Sequence, residues 1–262
     1  SSPSYNPNLF LFGISQDEWQ LIRNNPLKPL INKTLSGLYS PGSTIKPIVA
    51  LSALENKVID TKFKVKCTGK MELYGQTFHC WKEKGHGWVS LKNAMKQSCD
   101  TYFYEVARLL GVDRLNITAE KFGLGKKVLG DYFDNEKKGL FPNTKWKKNN
   151  LGKGWVLGET LITGIGQGYT QTTPLQLCMM TAQIANGGFA VKPKIIVDSN
   201  PISYEDAKQS MESGLSFDTE SEKLLDKKLF KNKKNIKIVQ EAMFASTNER
   251  FGTSYKSRID DP

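Results

Sequence analysis

Apolar residues along this chain come in short bursts, each bounded by turn-forming residues. From Pro47 to Leu54 all but one position is apolar, which predicts a helix from about Ser43 to Asn56. Pro47 falls in its first turn, where a missing N–H costs little because those donors have no partner anyway. Gln16 to Asn24 predicts a single helix stopped by Pro26. Residues 62–89 predict short strands and loops around Gly69, Gly75, Gly85 and Gly87. Ser90 caps a predicted helix running to Lys96. A break at Ser98-Cys-Asp100 follows, then helices from Thr101 to Leu110, ended by Gly111, and from Asp113 to Phe122. Thr173 and Pro174 open a helix that stops at Gly187-Gly188, and Ile236 to Thr247 predicts the last one. Val191 to Val197 predicts a strand. Gly123 to Gly158 is expected to be loop-rich and basic, and residues 199–235 a polar insertion or mobile lobe. The pattern predicts a mainly helical fold with short strands, no internal repeat and no long sheet.

Composition narrows the class. Of 262 residues, 39% are hydrophobic and 24% charged, which excludes a collagen-like or fully disordered chain. No stretch approaches the roughly 18 apolar residues that span a bilayer, and the opening eight residues are not a signal peptide. Any membrane anchor is therefore expected outside these residues. The net charge of +11 is concentrated: residues 121–153 hold nine Lys against three acids, and Lys227 to Lys237 holds six Lys. No aromatic-rich nucleic-acid signature accompanies either run, so a solvated surface is expected and no nucleic-acid partner.

The candidate chemistry begins at Ser43-Thr-Ile-Lys46. On a helix, positions i and i+3 share a face. A serine hydroxyl is a poor nucleophile until a neighbour takes its proton, and an amine can do so. The surrounding words are Tyr39-Ser-Pro-Gly-Ser-Thr-Ile-Lys-Pro47, then Ser98-Cys-Asp100, Gly164-Ile-Gly-Gln-Gly-Tyr169 and Thr173-Pro-Leu-Gln176. In that order they resemble the penicillin-binding proteins, serine transpeptidases that crosslink peptidoglycan. Ser43 to Lys46 matches the family's Ser-x-x-Lys, and Ser98 to Asp100 its second motif, usually Ser-x-Asn. Pro3-Ser-Tyr-Asn-Pro-Asn-Leu-Phe10, Trp81-Lys82, Gly85-His-Gly87, Asp100-Thr-Tyr-Phe-Tyr104 and Gly252-Thr-Ser-Tyr255 resemble the class B, cell-elongation branch, penicillin-binding protein 2. The resemblance covers roughly residues 3–197 and 236–259.

What the resemblance implies can be stated residue by residue. Ser43 would attack the carbonyl of a D-alanyl-D-alanine stem peptide, Lys46 would act as base, and Ser98 would pass a proton to the leaving amine. Asp100 would orient substrate or Lys46. β-Lactams would acylate Ser43. The partners implied are peptidoglycan stem peptides, β-lactams, a glycosyltransferase and other elongation-machinery proteins, on the periplasmic face of the inner membrane. No catalytic cofactor is implied. The family's third motif, Lys-Thr-Gly or Lys-Ser-Gly, does not occur. The chain is thus expected to be one partial transpeptidase domain, its central sheet strands largely missing, and inactive by itself. Residues 1–197 would form the helical lobe with two motifs, 198–235 an insertion, and 236–262 a helix leading to the third. The rival reading is a non-catalytic β-lactam sensor or scaffold.

A second constellation is Cys67, Cys80, His86 and Cys99. Three thiols and an imidazole form a set that tetrahedral structural zinc prefers. The spacing alone is weak evidence, and a disulfide or unconnected core thiols remain alternatives. His79 is a reserve ligand. Cys178 is expected in the core, Trp81, Trp88, Trp146 and Trp155 are expected to pack, and Gln167 and Tyr169 are expected to shape the floor behind the site.

Overall fold

A computed structural model describes residues 3–130, 133–193 and 227–259. In chain order the elements are α1 (Gln16–Arg23), α2 (Lys33–Ser36), a 3₁₀ turn (Gly42–Ile45), α3 (Lys46–Glu55), β1 (Lys64–Cys67), β2 (Lys70–Leu73), β3 (Gln76–His79), β4 (Gly87–Ser90), α4 (Leu91–Lys96), α5 (Asp100–Leu110), α6 (Val112–Lys121), α7 (Thr144–Leu151), α8 (Leu157–Thr163), α9 (Pro174–Ala185) and α10 (Lys233–Asn248). The mainly helical expectation holds.

The centre of the molecule is α3. Every residue from Lys46 to Leu54 is buried, as expected of a helix apolar on all sides. α5, α6 and α10 pack around it. Each fully buried Leu or Ile contributes about 1.5–3 kcal/mol relative to exposure, so α3 anchors the residues at its N-terminal end firmly. α10 lies against α4 as well as α3, which joins residues 233–248 to the same core.

The strands form two antiparallel pairs, one nested in the other. β1 pairs with β4, and the β2–β3 hairpin lies between them in sequence. This nesting gathers distant positions. Cys67 lies opposite Gly87, which brings His86 beside it, and the Cys80 amide donates to the Gly69 carbonyl at 2.8 Å.

Four expectations are corrected. The loop-rich basic stretch 123–158 also contains a helix that was not expected, α7. That helix is made by caps its lysine-rich sequence obscures. Asn143 Oδ1 accepts the Trp146 amide at 2.7 Å, and Asp113 of α6 accepts the Thr144 amide and hydroxyl. Lys147 is buried against Glu159. Second, Ser90 occupies the cap position of α4 but makes no capping hydrogen bond. Third, the last helix begins at Lys233, capped by Asn232, rather than at Ile236. Fourth, Ser43 precedes α3 on the 3₁₀ turn. The expected strand 191–197 and the insertion 198–235 lie mostly outside the described residues, though Lys228 bridges to Phe189. Among the described residues no helix is long and apolar enough to cross a membrane.

Candidate active site

Ser43 lies exposed on the turn, and Lys46 lies beneath it, only 1% exposed. Gly166 fixes the turn's position: its carbonyl accepts the Gly42 amide at 2.9 Å. A Cβ at Gly166 would meet the Gly42 oxygen at 2.2 Å, and its φ of +74° lies in the left-handed region that glycine tolerates. Gly166 therefore makes the tie, while Gln167 and Tyr169 are exposed.

The second wall comes from the break between α4 and α5. The Ser98 amide donates to the Met95 carbonyl at 3.1 Å, and the Cys99 amide to the Ala94 carbonyl at 2.8 Å. This is a Schellman termination of α4, in which the residue after the cap takes a left-handed conformation. Glycine normally fills that place, but here it is Ser98, at φ +52°. The conformation costs a non-glycine residue about 1–2 kcal/mol. The bonds made by Ser98 offset that cost.

Those bonds join the four motif residues. Lys46 Nζ donates to Ser98 Oγ at 2.9 Å, to the Ser98 carbonyl at 3.0 Å and to Asp100 Oδ1 at 2.7 Å. All three ammonium protons are thereby used. Ser98 Oγ donates to Ser43 Oγ at 2.9 Å. Lys46 is thereby linked to Ser43 through Ser98, a relay that the i, i+3 spacing did not foretell. The Phe103 ring of α5 covers the ammonium, 5.3 Å from Nζ to its centroid.

Behind Asp100 the structure gathers Cys67, Cys80, His86 and Cys99, whose ligand atoms all lie within 4.8 Å of one another. His86 Nδ1 is 3.6 Å from both Cys67 Sγ and Cys80 Sγ. Gly85 lets the loop close, since a Cβ there would meet the Cys67 oxygen at 2.2 Å. The thiols are free. A hydrogen bond from the Cys99 thiol holds the Cys80 thiol well below its usual range, against its burial and aided by the amides of Lys82, Thr101 and Asp100. That same pairing, with burial, pushes the Cys99 thiol well above its usual range. His79 is exposed in side chain and stands outside the cluster.

Two further expectations fail. Cys178 is exposed, because the inward face of α9 is formed by Gln176, Met179, Met180, Gln183 and Ile184. Trp88 is 68% exposed and Trp81 59%, so neither is core packing. Trp146 does pack, with its ring 5.2 Å from that of Tyr169, and Trp155 Nε1 donates to Thr160.

Comparison with known proteins shows the family. The penicillin binding protein transpeptidase domain matches residues 1–260. Peptidoglycan D,D-transpeptidase MrdA of Acinetobacter baumannii is 42% identical over 198 residues, which is 75% of this chain and 29% of that protein. The chain thus spans less than a third of the length of this curated relative. The crystal structure of Pseudomonas aeruginosa PBP2 in complex with WCK 5153 matches with a TM-score of 0.83 at 38% identity, covering 98% of this chain and 55% of that one. PBP2 of Helicobacter pylori, solved in complex with MreC, matches with a TM-score of 0.84 at 32% identity, covering 100% of this chain and 44% of that one. With a domain match from end to end, and PBP2 proteins among its relatives, the chain belongs to the penicillin-binding protein transpeptidase domain family.

Proposed function

We propose that this chain is the acylating lobe of a peptidoglycan D,D-transpeptidase of the cell-elongation type, with Ser43 as nucleophile. The observation that carries the reading is the continuous hydrogen-bonded path from Lys46 through Ser98 to Ser43. Ser43 Oγ attacks the carbonyl of the penultimate D-alanine. Its proton passes to Ser98 Oγ as the Ser98 proton passes to Lys46 in its amine form. The C–N bond then breaks, Ser98 returns a proton to the departing D-alanine amine, and an ester on Ser43 remains. An amine of a neighbouring stem peptide attacks that ester by the reverse route. Asp100 keeps Lys46 in line. A β-lactam follows the first half of the course, its ring amide standing in for the dipeptide.

The Cys67, Cys80, His86 and Cys99 cluster fits structural zinc. Bonds of about 2.3 Å to sulfur and 2.0–2.1 Å to nitrogen give a tetrahedral N···S edge of about 3.6 Å. Both imidazole–sulfur separations are 3.6 Å. Four protein ligands leave no open position, so such an ion would brace the turn carrying Ser98 and Asp100 and take no part in the chemistry. Residues 1–197 and 236–262 are proposed to act as one lobe, which the packing of α10 on α3 and α4 supports. The proposed setting is the periplasm, among elongation partners such as a glycosyltransferase and a protein like the MreC bound by the Helicobacter pylori relative.

The test is release of D-alanine from a stem pentapeptide by the complete transpeptidase domain that contains this lobe, in the presence of an acceptor amine. Release that Ser43→Ala abolishes is expected. Release that survives this substitution contradicts the reading.

A further inference from the structure

Trp81 is anchored at three points to the turn between α4 and α5, although the residue is 59% exposed. Its indole Nε1–H is shared between the Gln97 and Ser98 carbonyls, at 3.1 Å to each. Its main-chain N–H donates to Asp100 Oδ2, also at 3.1 Å. The ring sets its edge against His86, with centroids 5.3 Å apart. Two of these partners, Ser98 and Asp100, also hold Lys46. The Ser98 carbonyl accepts from both Lys46 and the indole, and the Asp100 carboxylate is divided between Lys46 and the Trp81 amide.

This arrangement meets a specific need. Ser98 stands in a left-handed conformation that disfavours an L-residue, so its carbonyl and hydroxyl keep their aim only while something outside the turn holds them. Lys46 alone cannot do this through the reaction, since its own proton count changes as the ester forms and breaks. A donor that never titrates can. The indole N–H is such a donor, and it has no acceptor capacity to compete for the Ser98 or Ser43 protons.

We propose that Trp81 is a positioning residue for the acylation step: its indole N–H locks the Ser98 carbonyl so that the Ser98 hydroxyl stays between Lys46 and Ser43. The assignment rests on the reading of Ser43 as nucleophile. Trp81 touches none of the reacting atoms and acts through Ser98 and Asp100.

Trp81→Phe removes the indole donor and keeps both the main-chain bond to Asp100 and an aromatic ring. In the complete transpeptidase domain, stopped-flow labelling with a fluorescent penicillin separates the reversible binding constant from the acylation rate constant. Loss of one shared hydrogen bond on the reaction path should slow acylation on the order of tenfold, with the binding constant and the unfolding temperature unchanged. An unchanged acylation rate constant overturns the proposal. So does a loss spread over binding and acylation together with a fall in unfolding temperature. If Trp81→Phe does not fold, the wild-type protein decides. Its Trp81 indole N–H signal, assigned by ¹⁵N NMR, should exchange slowly with solvent despite the residue's exposure, and should shift when Ser43 is acylated. An indole proton that exchanges as fast as free tryptophan, or is indifferent to acylation, overturns it as well. Wild-type protein that gains no adduct on Ser43 rejects the nucleophile assignment instead, so the two failures are distinguishable.

Discussion

Lys46 Nζ sits 2.7 Å from Asp100 Oδ1, with the two side chains only 2% and 13% exposed. A shielded pair of this kind is stable only when its remaining donors and acceptors are also satisfied. Here they are. The other two ammonium protons go to Ser98, and the second carboxylate oxygen accepts the Trp81 amide. The pair closes the inner end of a relay whose outer end is the exposed hydroxyl of Ser43.

Removing one partner should therefore cost more than replacing it. Asp100→Ala leaves a buried ammonium uncompensated and is expected to lower stability by about 3–5 kcal/mol. Asp100→Asn keeps an acceptor toward Lys46 and should lose less than half of that. Denaturant unfolding of both variants checks the order. Equal losses would show that the carboxylate is held by something other than its charge.

Lys46→Ala is expected to slow penicillin acylation by about 10²–10⁴, the usual contribution of a general base, with far-ultraviolet circular dichroism preserved. An acylation rate like that of the wild type in a folded variant would remove Lys46 from the mechanism.

The Gly166 contact makes a geometric prediction. Gly166→Ala places a methyl 2.2 Å from the Gly42 oxygen at a positive φ, so the Ser43 turn must move. Gly130 also has a positive φ, +67°, but nothing lies within 4 Å of a Cβ there. Gly130→Ala should carry only the conformational cost of about 1–2 kcal/mol and leave acylation intact. Gly166→Ala should lose both stability and acylation. Parallel thermal melts and penicillin labelling compare them, and equivalent behaviour of the two variants would contradict the placement of the turn.

For the cysteine–histidine cluster, protein purified without chelator should carry about one zinc per chain. Stripping the metal, or Cys80→Ser, should lower unfolding temperature and acylation rate together while the acylated residue stays the same. Elemental analysis and melting curves measure this. Metal-free protein, or a disulfide between two of Cys67, Cys80 and Cys99, would reject the zinc.

What the sequence disclosed was governed by how local the determinants are. The helix from Pro174 was legible because Thr173, Pro174 and Gln176 form a complete local start signal, and the structure shows the reciprocal capping bonds. α7 was not legible, because its stabilising partners, Asp113 and Glu159, are distant in sequence. The motif residues could be named from Ser43-Thr-Ile-Lys46 and Ser98-Cys-Asp100. The resemblance also implied a hydrogen bond between Ser98 and Lys46, but not the left-handed Ser98 that carries the link on to Ser43, which an apolar pattern does not encode. The metal-type cluster could be suspected from residue types alone. Its closure depends on a nested strand register that only the fold reveals. Trp81 was named in sequence as part of an elongation-type word and as a packing aromatic, and nothing in its neighbourhood signalled a donor role.

The central claim is that Ser43 is the residue acylated. Peptide mapping by mass spectrometry of the complete transpeptidase domain, after incubation with a labelled penicillin, tests it most directly. The account predicts a single penicilloyl adduct on Ser43, absent in Ser43→Ala and strongly slowed in Lys46→Ala. An adduct on any other residue, or undiminished labelling of Ser43→Ala, would contradict it.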